Sequence, residues 1–493
     1  MGSYVHFLDK PIFKIVGESA DRLGLECYVV GGYVRDRLMN RPVKMDLDFV
    51  TVGSGIALAK EVRKNFMDLD FVTVGSGIAL AKEVRKNFKN KPKLSVFKSF
   101  GTAHMNAQGV DLEFVGARKE SYNRNSRNPV VENGTLEDDQ NRRDFTINAM
   151  AICLNKEKWG ELIDPFNGRK DLENKNIQTP LNPNQTFDDD PLRMMRAIRF
   201  AAQLDFRIEA GTLKSIRDHS SRIDIVAPER IAQELNKLMS VEKPSYGLGL
   251  LFTSGLMNEI LPEVCALQGV EEVEGHLHKD NFYHTLEVVD NLSKTSENLW
   301  LRWAALLHDI GKPKTKKFIK PQGWTFRGHE FVGSKMIPKL FKRLHLPNDG
   351  RMKYVRKMVM MSSRPASLVD DTVTDSAVRR LLFDAGDDVD DLMLLCEADL
   401  TTKNEKKKRR YLNNFKEVRL KFKEVEERDH LRNFQPPVSG KEIMEQYGIG
   451  PSPVIGEIKE AIKEAILEGQ IPNEKEAARL KMEEVAKQLG LIK

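Results

Sequence analysis

Two aspartates spaced one residue apart occur twice in this chain. The 22-residue stretch MDLDFVTVGSGIALAKEVRKNF runs from Met45 to Phe66 and repeats unchanged from Met67 to Phe88. The first copy supplies Asp46 and Asp48, the second Asp68 and Asp70. DLDFVTV alternates with the period of a strand, which puts both aspartates of a pair on one face. Side-by-side carboxylates can bridge two magnesium ions, which prefer oxygen ligands. Two such ions can activate a hydroxyl and neutralise a leaving pyrophosphate. A lone Asp-x-Asp is more often a solvated strand face. Here it follows Gly31-Gly32 in YVVGGYVRD, and glycines let a backbone approach a phosphate closely. VDLEFVGAR offers a third acid from another strand, Asp111 or Glu113.

Three further constellations carry possible chemistry. Asp190, Arg193, Arg196 and Arg199 stand three apart in DDPLRMMRAIRF, along one slowly turning helix face, with Met194, Met195 and Ile198 turned into a core. An aspartate accepts from a base amino group and an arginine offers a forked donor. Asp190 before Pro191 also fits a plain helix cap, but that does not explain three aligned arginines. His308-Asp309 ends the apolar stretch WAALLHDIGK, with His284, His329 and Asp399 elsewhere in the chain. Imidazoles and carboxylates together suit a divalent transition metal or magnesium. The run Lys406, Lys407, Lys408, Arg409 and Arg410, followed by Tyr411, suits an RNA backbone and a stacked base. A solvated helix face is the competing reading of that run.

The elements that must position these groups fall into an α/β part and a helical part. Strands are expected at YVV before Gly31, at both DLDFVTV copies, at LSVFKSFGTAHMN and at VDLEFVGAR, with a short helix at VRDRLMN and a Ser54-capped helix in the duplicated stretch. From about residue 188 the period becomes helical. The expected divisions are 1–155, an α/β head; 156–268, a helical neck; 269–402, a helical body with the histidines; and 403–493, a basic helical tail, giving an α+β chain. Of 493 residues, 40% are hydrophobic and 30% charged, and basic residues exceed acidic ones by six. That balance is ordinary for a globular protein and compatible with a polyanionic partner. The four cysteines form no CxxC pair, so a disulfide framework or zinc knuckle is not expected. No apolar run approaches the length of a membrane span, and the expected location is cytoplasmic.

GGYVRD followed by DLD resembles the active site of DNA-polymerase-beta-like nucleotidyltransferases. RRDFTINAMA (142–151), DPFNGRKDLENKNIQTP (164–180) and DDPLRMMRAIRF (189–200) then stand in the order of class II tRNA CCA-adding enzymes and bacterial poly(A) polymerases. The resemblance implies that Gly31, Gly32 and Arg35 hold a triphosphate and that the aspartate pair, with Glu113 rather than Asp111, holds magnesium. It implies that Arg143 and Asp144 contact the sugar, that Asp190 and Arg193 read the base, and that Arg196 and Arg199 continue the pocket. His308-Asp309 resembles the signature of HD phosphohydrolases, which implies His284, His308, Asp309 and Asp399 as metal ligands. The tail resembles the tRNA-contacting tail of HD-containing members. The implied partners are tRNA, CTP and ATP. FGTA in LSVFKSFGTAHMN and the lack of a GRRFR-like stretch favour CCA addition; poly(A) or A-only addition and an idle RNA-binding member stay open.

Spacing from Gly32 favours Asp46 and Asp48 as the working pair, while downstream spacing, with the second copy running directly into KNKPKLSVF, keeps Asp68 and Asp70 as the alternative. The surplus 22 residues would then loop out after the first copy, their strand docking at the sheet edge.

Overall fold

Residues 3–9, 13–14, 17–18, 20–21, 26–42, 48–52, 70–74, 94–97, 102–107, 110–123, 126–133 and 135–492, the last range without 274–275, 278–279, 369–373, 403 and 430–435, are described by a computed structural model. Asp46, Asp68 and the expected Ser54-capped helix lie outside the described residues. The chain divides into two units. One comprises Met1–Val241 with Tyr246–Ile260, the other Glu242–Ser245 with Leu261–Lys493.

Strand β1 (Glu26–Val30) is β-branched and aromatic, and four of its five residues are buried. Gly31 ends it at φ 76°, a region that favours glycine, and helix α1 (Gly32–Leu38) follows. The remaining described strands of this unit are β2 (Asp48–Val52), β3 (Asp70–Val74), β4 (Leu94–Phe97), β5 (Thr102–Ala107), β6 (Val110–Asn123), β7 (Ser126–Asn133), β8 (Ala151–Cys153) and β9 (Leu162–Ile163). They form one sheet in the order β4-β5-β6-β3-β2-β1-β8-β9, with β7 on β6. Tyr28, Val30, Val50, Ala151 and Cys153 pack as one apolar cluster, covered by Leu136 and Ile163. LSVFKSFGTAHMN, expected as one strand, is two: β4 and β5 pair antiparallel as Leu94↔Met105 through Phe97↔Thr102.

The loop-out expectation is overturned. Both copies occupy the sheet interior, β2 and β3 pairing parallel and in register as Asp48↔Asp70, Phe49↔Phe71 and Val50↔Val72. Identical strands bring the same period, so like positions stand opposite one another while backbone groups on both strands find partners. A parallel pair needs a crossover of a dozen residues or more, and residues 53–69 are long enough for it.

Further along this unit come α2 (Leu136–Asn141), α3 (Leu192–Leu204) and α4 (Pro228–Met239). As the spacing predicts, Met194, Met195 and Ile198 on α3 are buried. In the second unit, α5 (Asn281–Ser293), α6 (Leu299–Leu307), α7 (His329–Arg343), α8 (Gly350–Met361), α9 (Asp375–Ala385) and α10 (Val389–Ala398) surround Trp303, Phe282 and Phe341, all fully buried. The charged helix α11 (Glu405–Asp429) buries only Phe415, Val418, Phe422 and Val425, a stripe with steps of three and four. Arg419 to Glu397 (2.9 Å) and Lys421 to Asp375 (2.8 Å) fasten it to α10 and α9.

Candidate functional site

The acidic positions form a row across the sheet. Val30 pairs with Asp48, Asp48 with Asp70, and β3 runs beside β6 with Phe71 next to Phe114, which sets Asp70 level with Glu113. On its other side β6 meets β5, with Glu113 opposite His104 and Asp111 opposite Asn106. Neighbouring strands are about 4.8 Å apart. Asp70 is therefore one strand from Glu113 and two from β1, whereas Asp48 adjoins β1 and the Gly31-Gly32 turn and is two strands from Glu113. Neither copy neighbours both features.

The predicted nucleotide-contact residues converge through ion pairs. Asp144 accepts from Arg196 Nε (2.8 Å) and Nη2 (2.6 Å) on one oxygen, and from Phe145 N and Asn148 Nδ2, both at 2.9 Å, on the other. Burial alone would raise the Asp144 carboxyl, but the Arg196 guanidinium holds it below the usual range. Arg193 Nη2 donates to Arg142 O at 2.7 Å. Arg143 donates to Asp139 Oδ2 (2.9 Å) and Asn148 O (3.2 Å). Asp190 does help start α3, accepting from Leu192 N at 3.1 Å, but its other oxygen accepts from Arg230 Nη2 at 3.1 Å. Arg35 is buried, donating to Asn148 Oδ1 and Asp36 Oδ1 at 2.8 Å each and lying over the Phe200 ring. Arg199 is also buried: it donates to Glu234 (2.5 Å) and Gln203 (2.6 Å), and its guanidinium is 3.8 Å from the Phe200 centroid. Its described contacts are thus inside the protein and hold Arg196's surroundings in place.

Glu234, Asp139, Asn148, Phe200 and Arg230 complete this network and are not singled out by the sequence motifs. Glu234 had a signal. It falls on the apolar face of α4 beside buried Ile231, Leu235 and Leu238, where a lone carboxylate is costly unless paired. Burial pushes its carboxyl up, and Arg199 and Arg196 more than reverse the shift.

The second unit gathers the histidine cluster. His284 is on α5, His308-Asp309 follows α6, His329 opens α7, and Asp399 follows α10. His284 Nε2 lies 2.7 Å from Asp399 Oδ1 and 3.9 Å from Asp309 Oδ2; His308 Nε2 lies 3.3 Å from Asp309 Oδ2 and 3.7 Å from Asp399 Oδ1; His329 Nε2 lies 3.4 Å from Asp309 Oδ1. The far nitrogens are tethered: Nδ1 of His308 to Ala305 O (2.8 Å), of His329 to Phe326 O (2.9 Å), and of His284 to Thr401 Oγ1 (2.9 Å). A carbonyl at Nδ1 places the proton there and turns the Nε2 lone pair inward, the arrangement of a metal-binding histidine. His308 Nε2 is buried without a hydrogen-bond partner despite the nearby carboxylate, and the ligand atoms of His284, His308 and Asp309 lie within 4.8 Å of one another. These residues fit a divalent cation. Asp309 would be raised by burial, but His308, His329 and the Lys312 ammonium (2.6 Å) hold it well below the carboxylate range. The basic run begins α11 in this same unit: Lys406, Lys407, Arg409 and Arg410 are exposed, and Lys408 is half-buried.

The mixed sheet with its row of acidic positions, and the buried histidine–aspartate cluster of the second unit, mark a polymerase-like head and an HD unit. The Poly A polymerase head domain matches residues 27–67 and again 60–178, the pattern expected when one strand is present twice. The probable RNA and SrmB-binding site of polymerase A matches 205–267, and the HD domain matches 281–385, short of Asp399. The chain is 30% identical over 388 residues to the Multifunctional CCA protein of Vibrio parahaemolyticus, covering 76% of this chain and 85% of that protein. It is 31% identical over 351 residues to the A-adding tRNA nucleotidyltransferase of Deinococcus radiodurans (69% and 78%). Against the Multifunctional CCA protein of Vibrio campbellii, 34% identical, it spans 65% of the relative's length. The chain belongs to the family of tRNA nucleotidyltransferases and poly(A) polymerases with an HD domain. Its fold is that of the Thermotoga maritima CCA-adding enzyme solved with tRNA (TM-score 0.57, 22% identity, 99% of each chain) and of a CCA-adding enzyme in an apo form (TM-score 0.59, 22% identity, 98% and 96%). Among the described residues, no helix is long and apolar enough to cross a membrane.

Two outcomes follow from this geometry. Glu234→Gln leaves the Arg199 guanidinium buried with its charge uncompensated, and should lower stability by about 3–5 kcal/mol. Because the folded pKa of Glu234 is depressed, its contribution is present above the unfolded value of roughly 4.3 and is lost as pH falls toward the folded value. Urea unfolding should therefore show the wild type and the variant converging below about pH 4; a pH-independent gap contradicts the assignment. A Cβ at Gly311 would stand 2.0 Å from His329 O and 2.7 Å from Gly333 N. Gly311→Ala should push α7 and His329 away from Asp309, lowering both the melting temperature and the nickel retained after dialysis; no change in either contradicts the close approach.

Proposed function

We propose that this chain rebuilds the 3′-terminal CCA of tRNA from CTP and ATP without a nucleic-acid template. The observation that carries the reading is the fixed network at α3. Asp190 and Arg193 are each oriented by protein partners, Arg230 and Arg142 O, beside the Arg196–Asp144 pair. Side chains held in this way can select a base by its donors and acceptors, which removes the need for a template strand.

In the reaction, the terminal ribose hydroxyl of the tRNA attacks the α-phosphorus of the nucleotide. The bond from that phosphorus to the bridging oxygen breaks, pyrophosphate leaves, and the hydroxyl proton passes to solvent. Magnesium at the acidic row supplies charge neutralisation and activates the hydroxyl. Strand register favours the second copy, Asp68 and Asp70 with Glu113, as its holder, against the spacing argument for Asp46 and Asp48. Gly31, Gly32 and Arg35 place the triphosphate, and Arg143 and Asp144 place the sugar. The exposed basic residues Lys406, Arg409 and Arg410 contact the tRNA backbone. The cytoplasm is the location proposed with these substrates.

The His284–His308–Asp309–Asp399 cluster supports a second activity, metal-dependent phosphoester hydrolysis with a transition metal. An ion held by these residues would lower the pKa of a bound water toward neutrality. Hydrolysis would join a water oxygen to phosphorus and break the ester P–O bond, the alcohol leaving with a proton.

The test is extension of a tRNA lacking CCA, with CTP and ATP singly and together. Both nucleotides should be needed for the full end. Addition of A alone would mark an A-adding enzyme, and no addition an idle RNA-binding protein. Asp70→Asn should slow extension by about 10²–10³-fold, and Asp48→Asn by much less; the reverse order returns the metals to the first copy. His308→Ala should abolish ring opening of 2′,3′-cyclic nucleotides to nucleoside monophosphates and leave extension intact.

A further inference from the structure

Beside the histidine cluster lies a cavity of about 660 Å³. His284, Asp399 and Thr401 line one side; Lys407, Tyr411 and Phe415 of α11 line another. The volume suits a ligand of nucleotide size.

The placement of α11 explains how two of its residues come to be there. Its buried stripe of Phe415, Val418, Phe422 and Val425 packs into the unit. Followed toward the helix start in steps of four, the same stripe reaches Tyr411 and then Lys407. At those two positions the stripe borders the cavity. Lys407 Nζ lies 5.7 Å from the Tyr411 ring centroid, and the Arg419–Glu397 pair holds the helix against α10. The five-residue basic run is thus not one surface. Lys407 belongs to the cavity side, while Lys406 and Arg409 turn elsewhere on the helix.

The geometry points to Lys407 and Tyr411 as the ligand-binding half of the HD site: the ammonium takes the charge of a phosphate lying against the histidine–aspartate cluster, and the tyrosine ring stacks on the base. The ligand class is a nucleoside monophosphate unit, either free or as the last residue of an RNA. Glu287 also lines the cavity, and its carboxylate disfavours the heavier charge of a triphosphate. The inference rests on the reading of this cluster as a phosphohydrolase site.

The test uses the full chain, freed of divalent metal by chelation so that nothing is hydrolysed, and calorimetric titration with adenosine 2′-monophosphate, inorganic phosphate and adenosine. Lys407→Gln should weaken both phosphate-bearing probes by about tenfold and leave adenosine unchanged. Tyr411→Ala should weaken the nucleotide and adenosine by about tenfold or more, while Tyr411→Phe keeps both. Lys416→Gln, at an exposed position further along α11, should change none of them. Competition by a short RNA ending in a 2′-phosphate marks a terminal nucleotide as the ligand, and lack of competition a free one; both sources lie within the inference. Unchanged nucleotide affinity in Lys407→Gln, or a loss matched by Lys416→Gln, overturns it, as does a loss confined to tRNA binding. With nickel restored, a wild type that binds as stated but releases no phosphate refutes the phosphohydrolase reading alone. Hydrolysis whose KM is indifferent to Lys407→Gln refutes this inference alone.

Discussion

The parallel, in-register pairing of β2 with β3 determines the layout of the head. Each duplicated strand finds in the other a partner of its own sequence, so Asp48 meets Asp70 and Val50 meets Val72. That pairing keeps both copies in the sheet and makes the row from Val30 to Glu113 one strand wider than a single copy would. The glycine turn and the third acid now flank different copies. The proposed reaction would need the triphosphate and the acids in one place, and misplacement of about 1 Å can cost roughly 100-fold in rate. An extra strand amounts to several such displacements.

The rest of the head does not share this disturbance. Asp144, Arg196, Glu234 and Arg199 form a continuous chain of charges from the loop after α2 through α3 to α4. Buried ion pairs contribute little net stability against well-packed apolar groups, but they fix geometry because breaking one leaves a bare charge. On the proposed function this network is where the base would be selected, and it follows both copies in the sequence. On that reading the base-selecting groups stay intact beside a widened acidic row.

Much of this was legible in the sequence. The alternation in DLDFVTV, the Gly31-Gly32 turn, the three-residue spacing from Asp190 to Arg199 and the His308-Asp309 doublet each carry a period or a chemistry that survives folding. Three things were not legible. Pairing of two identical strands is a choice among neighbours, and the sequence of either strand is equally suited to the sheet edge, the interior or a loop. The commitment of Arg199 to Glu234 depends on a partner 35 residues away in sequence on another helix. The division of the basic run depends on which face of α11 the stripe of Phe415 and Val418 buries, which sets Lys407 at the edge of a cavity that Arg409 does not line.

The widened row is the central claim, and it can be tested in one comparison. Deleting residues 45–66 or 67–88 gives the same chain, because the copies are identical. The remaining strand would pair with β1 on one side and β6 on the other. Single-turnover extension of a tRNA lacking CCA, with saturating CTP and ATP, should proceed at least about tenfold faster in the single-copy chain than in the full one. An equal or slower rate in a single-copy chain that unfolds at the same or a higher temperature would contradict the account.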